Sequence, residues 1–197
     1  MLYLVRHGQT PYNVENRLQG QLDIPLSETG REQARELSER LKAEGPRVNK
    51  LYCSTLSRAG ETARIIGRAL MLTPVTVAGL EEIYFGRFQG HMFTDCARLF
   101  PEAYADYLIH GSNSNAHGGE TGFDVMERAR KALLKLPESA NSEPALVVCH
   151  GAVIGFLRAA AEGLPLNDVR KFIPKNAELC EFTPEMMERI AAYGKEQ

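Results

Sequence analysis

What this chain lacks narrows its function first. No apolar run approaches the roughly 20 residues that a membrane-spanning helix needs. No signal-like segment precedes the first strand-like run, so the expected setting is the cytoplasm, away from membranes. Neither sign of charge is in excess: 23 Lys and Arg against 25 Asp and Glu leave a net charge of −2. That balance gives no general attraction to nucleic acid or anionic lipid, and an anionic substrate would need a locally positive pocket. Cysteine is scarce. Cys53, Cys96, Cys149 and Cys180 are widely separated, with no C-x-x-C pair. Three of them, Cys53, Cys149 and Cys180, lie in apolar runs and read as reduced, buried small hydrophobes. No G-x-G-x-x-G follows the first strand, which removes the dinucleotide-binding fingerprint. No two histidines stand at i, i+4, the spacing of a helical metal site, so neither a metal nor another cofactor is expected. Internal repeats and low-complexity tracts are also missing.

What is present is an alternation of strand-like and helix-like segments over 197 residues, with 44% hydrophobic and 24% charged residues. That length suits one sizeable domain. Strand-like runs fall at Met1–Val5, Leu51–Cys53, Val75–Ala78, Ala145–Cys149 and Glu178–Thr183. Ser27 or Thr29 can cap a helix running to about Ala43, with Thr29 and Glu32 matching a capping box. Further helices are expected over Arg58–Ala69, Ala152–Glu162 and Pro184–Tyr193. From about residue 83 to 141 clear strands are lacking, and helical patterns near Thr94–Ile109 and Thr121–Leu136 flank a Gly-, Ser- and Asn-rich loop. The expected architecture is a three-layer α/β/α single domain, 1–197. It has a mostly parallel sheet and a helical insertion over the carboxyl-end crevice.

Two strands end in His-Gly: Val5-Arg6-His7-Gly8 and Val148-Cys149-His150-Gly151. A lone histidine at a strand end is usually structural. Two at equivalent ends would project into one crevice, where open α/β sheets place their ligand sites. Arg58, near the start of the helix after the second strand, adds a cation on the same side, where helix N-termini favour anions.

The residues then resemble the histidine phosphatase superfamily, in its phosphoglycerate-mutase-like branch. The opening Leu4-Val5-Arg6-His7-Gly8-Gln9-Thr10-Pro11-Tyr12-Asn13 carries the resemblance nearly residue for residue. It continues through Arg17-Leu18-Gln19-Gly20, Pro25–Gly30, Ser54–Ala59, Leu80-Glu81-Glu82 with Gly86, Gly119-Glu120-Thr121 and Val148–Gly151. The resemblance implies His7 as nucleophile, because a neutral imidazole nitrogen can attack phosphorus and split one hard step into two. It implies that Arg6, Arg58, His150 and Asn13 hold the phosphoryl oxygens, with Gly8, Gln19, Gly20 and Gly151 on the substrate side. Glu82 would be the general acid. Glu81 competes on composition alone, and the spacing Leu80-x-Glu82-x-x-x-Gly86 favours Glu82. Glu120 either orients a catalytic group or sits in a helix first turn. Gln89 stands where many members carry an acid preceded by tryptophan, which weakens any transfer of substrate preference. Arg87, His91 and Arg98 could read a second anionic group or form a solvated face.

Three readings follow. The first is a metal-independent phosphomonoester hydrolase acting through a phosphohistidine on a small phosphorylated metabolite. The second is a phosphoglycerate mutase, which needs the same centre but shields its phosphoenzyme from water. Only Pro184–Gln197 follow the last strand, which favours the hydrolase. The third is a non-catalytic phosphate-binding module. A monomer and a homodimer are both open.

Overall fold

Five strands form one sheet in the order β3-β2-β4-β1-β5, in a computed structural model that describes residues 1–136, 144–167 and 169–193. The strands are β1 (Leu2–Arg6), β2 (Lys50–Cys53), β3 (Val75–Thr76), β4 (Ala145–Cys149) and β5 (Leu179–Phe182). β1 to β4 are parallel, and β5 pairs antiparallel with β1. β4 is central, and all five of its residues are fully buried. A strand covered on both faces must read as a continuous apolar run, as Ala-Leu-Val-Val-Cys does.

The period of two divides the core. Leu4, Val147 and Cys149 point to one face, with Val125 and Met126 of α6 (Gly122–Leu134) and Val153 and Ile154 of α7 (Gly151–Ala161). Ile190 of α8 (Pro184–Ala192) joins them. Val5, Leu146 and Val148 point to the other face. There they meet Leu37 and Leu41 of α2 (Glu28–Glu44) and Ala59, Ala63 and Ile66 of α3 (Ser57–Leu70). The three-layer α/β arrangement is observed. All four cysteines are free and buried.

The structure chooses between some sequence expectations and overturns others. The cap of α2 is Ser27, whose Oγ accepts from Gly30 N at 3.0 Å, and Thr29 lies inside the helix. β3 is two residues rather than four, because this edge strand pairs only with Tyr52 and Cys53. The pattern near 94–109 is two helices, α4 (Phe93–Leu99) and α5 (Pro101–His110). They break at Phe100 (φ −140, ψ 60), because the Pro101 ring disfavours helical geometry in the residue before it. Together with the short helix α1 (Pro11–Val14), these elements account for eight helices among the described residues. Phe88, Cys96 and Ala103 give the inserted segment a small core of its own, with Phe93, Phe100 and Tyr107 packed around it. Residues 137–141, the end of the expected insertion, lie outside the described residues. No described helix is long and apolar enough to cross a membrane.

Candidate active site

β1 and β4 are paired with Arg6 opposite Cys149, so the next residue of each strand emerges beside the other. Those residues are His7 and His150, whose ring centroids are 5.2 Å apart. Both imidazoles are buried. His7 Nδ1 lies 2.7 Å from the Gly8 carbonyl, which can only accept, so Nδ1 carries the proton and Nε2 keeps its lone pair. Burial, and then the positive charges of Arg58 and Arg6, hold His7 well below its ordinary pKa, so the ring stays neutral.

His150 Nε2 is 2.8 Å from Ser54 Oγ. That oxygen also accepts from Leu56 N, and among the described residues the Ser54 hydroxyl has no acceptor for its own proton other than Nε2, so it donates there and leaves Nδ1–H as the outward donor. Burial and the Arg58 charge also push the His150 pKa well down. Arg58 is fully buried and donates from Nη1 to Leu22 O at 2.8 Å and from Nη2 to Gly20 O at 2.7 Å. Arg6 donates from Nη1 to Pro174 O at 2.7 Å. Both guanidinium groups are thereby fixed in position, yet Arg6 Nε, Arg58 Nε and His150 Nδ1 are buried without a partner among the described residues. Unsatisfied buried donors on cations are costly, and an anion supplied from outside would satisfy all three.

Asn13 closes a capping box on α1 and also accepts from Asn176 Nδ2 at 3.2 Å, so its Oδ1 is occupied and its amide nitrogen remains as donor. Gln19 Oε1 accepts from Thr10 Oγ1 at 2.8 Å, which leaves its own amide nitrogen. Gly20 sits at φ +52, and a Cβ there would lie 2.0 Å from Gln89 Oε1. That same Gln89 oxygen accepts from Gln21 N at 2.7 Å, so Gln89 holds the 19–21 loop against the site. Gly8 and Gly151 are glycines for packing reasons. A Cβ on Gly8 would lie 2.2 Å from Gly30 O, and one on Gly151 would lie 3.2 Å from Arg6 Nε. At position 8 the close neighbour is therefore the α2 backbone rather than the space for phosphate.

The two acidic candidates separate. Glu81 is occupied, accepting from Thr55 Oγ1 at 2.6 Å and from Gly79 N at 2.7 Å. Glu82 reaches the sheet's carboxyl end, where Oε2 accepts from Ala152 N at 3.3 Å in the first turn of α7. Its loop is held by Arg128, which donates to the carbonyls of Gly79 (3.0 Å), Glu81 (2.6 Å) and Glu82 (3.0 Å). Glu120 grips Arg128 with both oxygens at 2.7 and 2.8 Å and also takes Tyr84 N. Glu120 precedes the Thr121 cap and so lies outside the first turn of α6, and it holds the Glu82 loop through Arg128. Arg87 and Arg98 are exposed, and the His91 ring packs on Phe100 at 5.6 Å.

Sequence reasoning missed three supporting residues. Ser54 stood in a recognised block but carried no assigned partner. Asn176, which also donates to His7 O at 3.0 Å, and Arg128 gave no local signal, because each acts across more than 40 residues of chain.

Fold and site together define an α/β enzyme acting on phosphoric monoesters. A family model described as the histidine phosphatase superfamily, branch 1, matches residues 2–191, and the chain belongs to that family. It is 34% identical over 182 residues to a probable phosphoglycerate mutase of Erwinia tasmaniensis, covering 90% of this chain and 82% of that one. Among solved structures it resembles a mycobacterial glucosyl-3-phosphoglycerate phosphatase, with TM-score 0.77, 33% identity, and 90% and 87% of the two chains covered. It also resembles the alpha-ribazole phosphatase of Shigella flexneri, with TM-score 0.81, 25% identity, and 93% and 91% coverage.

Proposed function

We propose that this enzyme hydrolyses small phosphorylated metabolites through a phosphohistidine on His7. Nε2 of the neutral ring attacks phosphorus, the N–P bond forms, and the P–O bond to the leaving group breaks. Arg6, Arg58, His150 Nδ1 and the Asn13 amide hold the three non-bridging oxygens and stabilise the charge they carry in the transition state. Glu82 gives a proton to the departing oxygen and then takes one from the water that attacks the phosphohistidine. Gln19, Gly20 and Gly151 shape the substrate side, while Gly8 is kept small by the α2 backbone. The observation that carries this reading is the set of three buried, unpartnered donors, Arg6 Nε, Arg58 Nε and His150 Nδ1, around a histidine kept neutral.

The test is rapid quench with a ³²P-labelled monoester. An acid-labile, base-stable label on the native enzyme is expected, with label and turnover both lost in a folded His7→Ala variant. Undiminished turnover in that variant would remove the nucleophile. The name of the Erwinia relative favours a second reading, phosphoglycerate mutase. Interconversion of 3- and 2-phosphoglycerate with negligible phosphate release would establish that reading in place of hydrolysis.

A further inference from the structure

A cleft of about 510 Å³ opens directly beside the proposed centre. Its inner end is formed by Ile83, which follows Glu82, by Ala152, whose N–H donates to Glu82, and by Ile173, which packs on Gly151. Glu82 itself is not on the lining but its neighbours are, so a group esterified to the oxygen that Glu82 would protonate has this cleft beside it to enter.

The walls offer little to a polar group. Phe85 and Phe88 come from the inserted segment and Phe156 from α7. The Ser112 hydroxyl on the lining is already committed to the Leu166 carbonyl. Arg170, which is exposed, is the one charged side chain among the described lining residues, and both it and Tyr107 have interactions of their own, which leaves the exposed Asn167 amide as the remaining polar side chain on the lining. None of Arg87, His91 and Arg98 lines the cleft. At the rim, Leu108 and Ile109 end α5 with 63% and 77% of their surface exposed. Two adjacent large hydrophobes left in water over an apolar cleft are the kind of patch that a ligand covers.

We infer that the leaving group is apolar, an aromatic ring or an alkyl chain, rather than a sugar or a carboxylate. This rests on the phosphohydrolase reading above. A polyhydroxylated leaving group has more hydroxyls than the Asn167 amide can serve, and each one buried without a partner would lose roughly tenfold or more in kcat/KM. An alkyl chain would gain about two- to fourfold per methylene as it leaves water.

The experiment is steady-state kinetics on ethyl, butyl and hexyl phosphate, whose leaving alcohols have similar basicity, alongside glucose 6-phosphate and 3-phosphoglycerate. Expected are a rise of about tenfold or more in kcat/KM from ethyl to hexyl, and hexyl phosphate well ahead of both polar esters. In a variant carrying Leu108→Ser and Ile109→Ser, both at exposed positions, the hexyl-to-ethyl ratio should fall severalfold. A flat series with ethyl phosphate still cleaved, or a polar ester cleaved faster than hexyl phosphate, would overturn the apolar leaving group and leave the hydrolase standing. No His7-dependent phosphate release from any ester would overturn the hydrolase reading, and this inference with it.

Discussion

Replacing Arg128 with methionine keeps the length of the side chain and removes the guanidinium that fastens the Glu82 loop. Five hydrogen bonds are lost: three to the carbonyls of Gly79, Glu81 and Glu82, and two to Glu120. The Arg128 and Glu120 side chains are each 21% exposed, so the pair is largely but not wholly withdrawn from water. Breaking a buried pair by removing one partner costs about 3–5 kcal/mol, and the residual exposure argues for the lower end, about 3 kcal/mol. For a domain of this size that corresponds to a Tm lowered by about 6–12 °C. The catalytic effect is separable from the loss of stability. A displacement of the Glu82 carboxyl by about 1 Å can cost about 100-fold. In the step that forms the phosphohistidine, that loss falls only where the leaving oxygen needs a proton. Well below the variant's Tm, kcat/KM, which reads the steps up to departure of the alcohol, should drop about 100-fold for ethyl phosphate and little for p-nitrophenyl phosphate, whose phenolate departs unprotonated. Glu82→Gln should show the same leaving-group pattern. Equal losses on both substrates, or a lowered Tm with ethyl phosphate turnover intact, would refute the claim that Arg128 positions Glu82.

Two further outcomes follow from the buried imidazoles. His7, His150 and His117 all have pKa values lowered mainly by burial, so below about pH 6.5 the unfolded chain binds protons that the folded chain does not. Stability should therefore fall as pH falls from 6.5 towards 5. The loss is about 1.4 kcal/mol per pH unit for each group once the unfolded histidines are charged, and a Tm independent of pH over that range would contradict the burial argument. Ser54→Ala should leave the fold intact but free the His150 tautomer, lowering kcat/KM about tenfold, as read by parallel thermal melts and kinetics. Unchanged kinetics would show that Ser54 does not set the tautomer.

The sequence by itself determined the scaffold and marked the residues that the proposed chemistry uses. The apolar runs of β1 and β4, each closed by His-Gly, state both a buried parallel strand and the place where it ends, because strand burial and side-chain period are local properties. Arg6, His7, Arg58, Glu82 and His150 were legible because the motifs that carry them are short and ordered along the chain. The break at Phe100-Pro101 was also local and was overlooked, since a shared apolar pattern runs across it. Only the tertiary structure decided the rest. It gave Glu81 and Glu82, between which the motif spacing already favours Glu82, different partners in Thr55 and Ala152. It also assigned Ser54, Gln89, Glu120, Arg128 and Asn176 their tasks through hydrogen bonds between distant segments, which local pattern cannot encode. The character of the cleft was likewise invisible along the chain, because Ile83, Phe156 and Ile173 become neighbours only when the inserted segment, α7 and the loop before β5 close around the ends of β1 and β4.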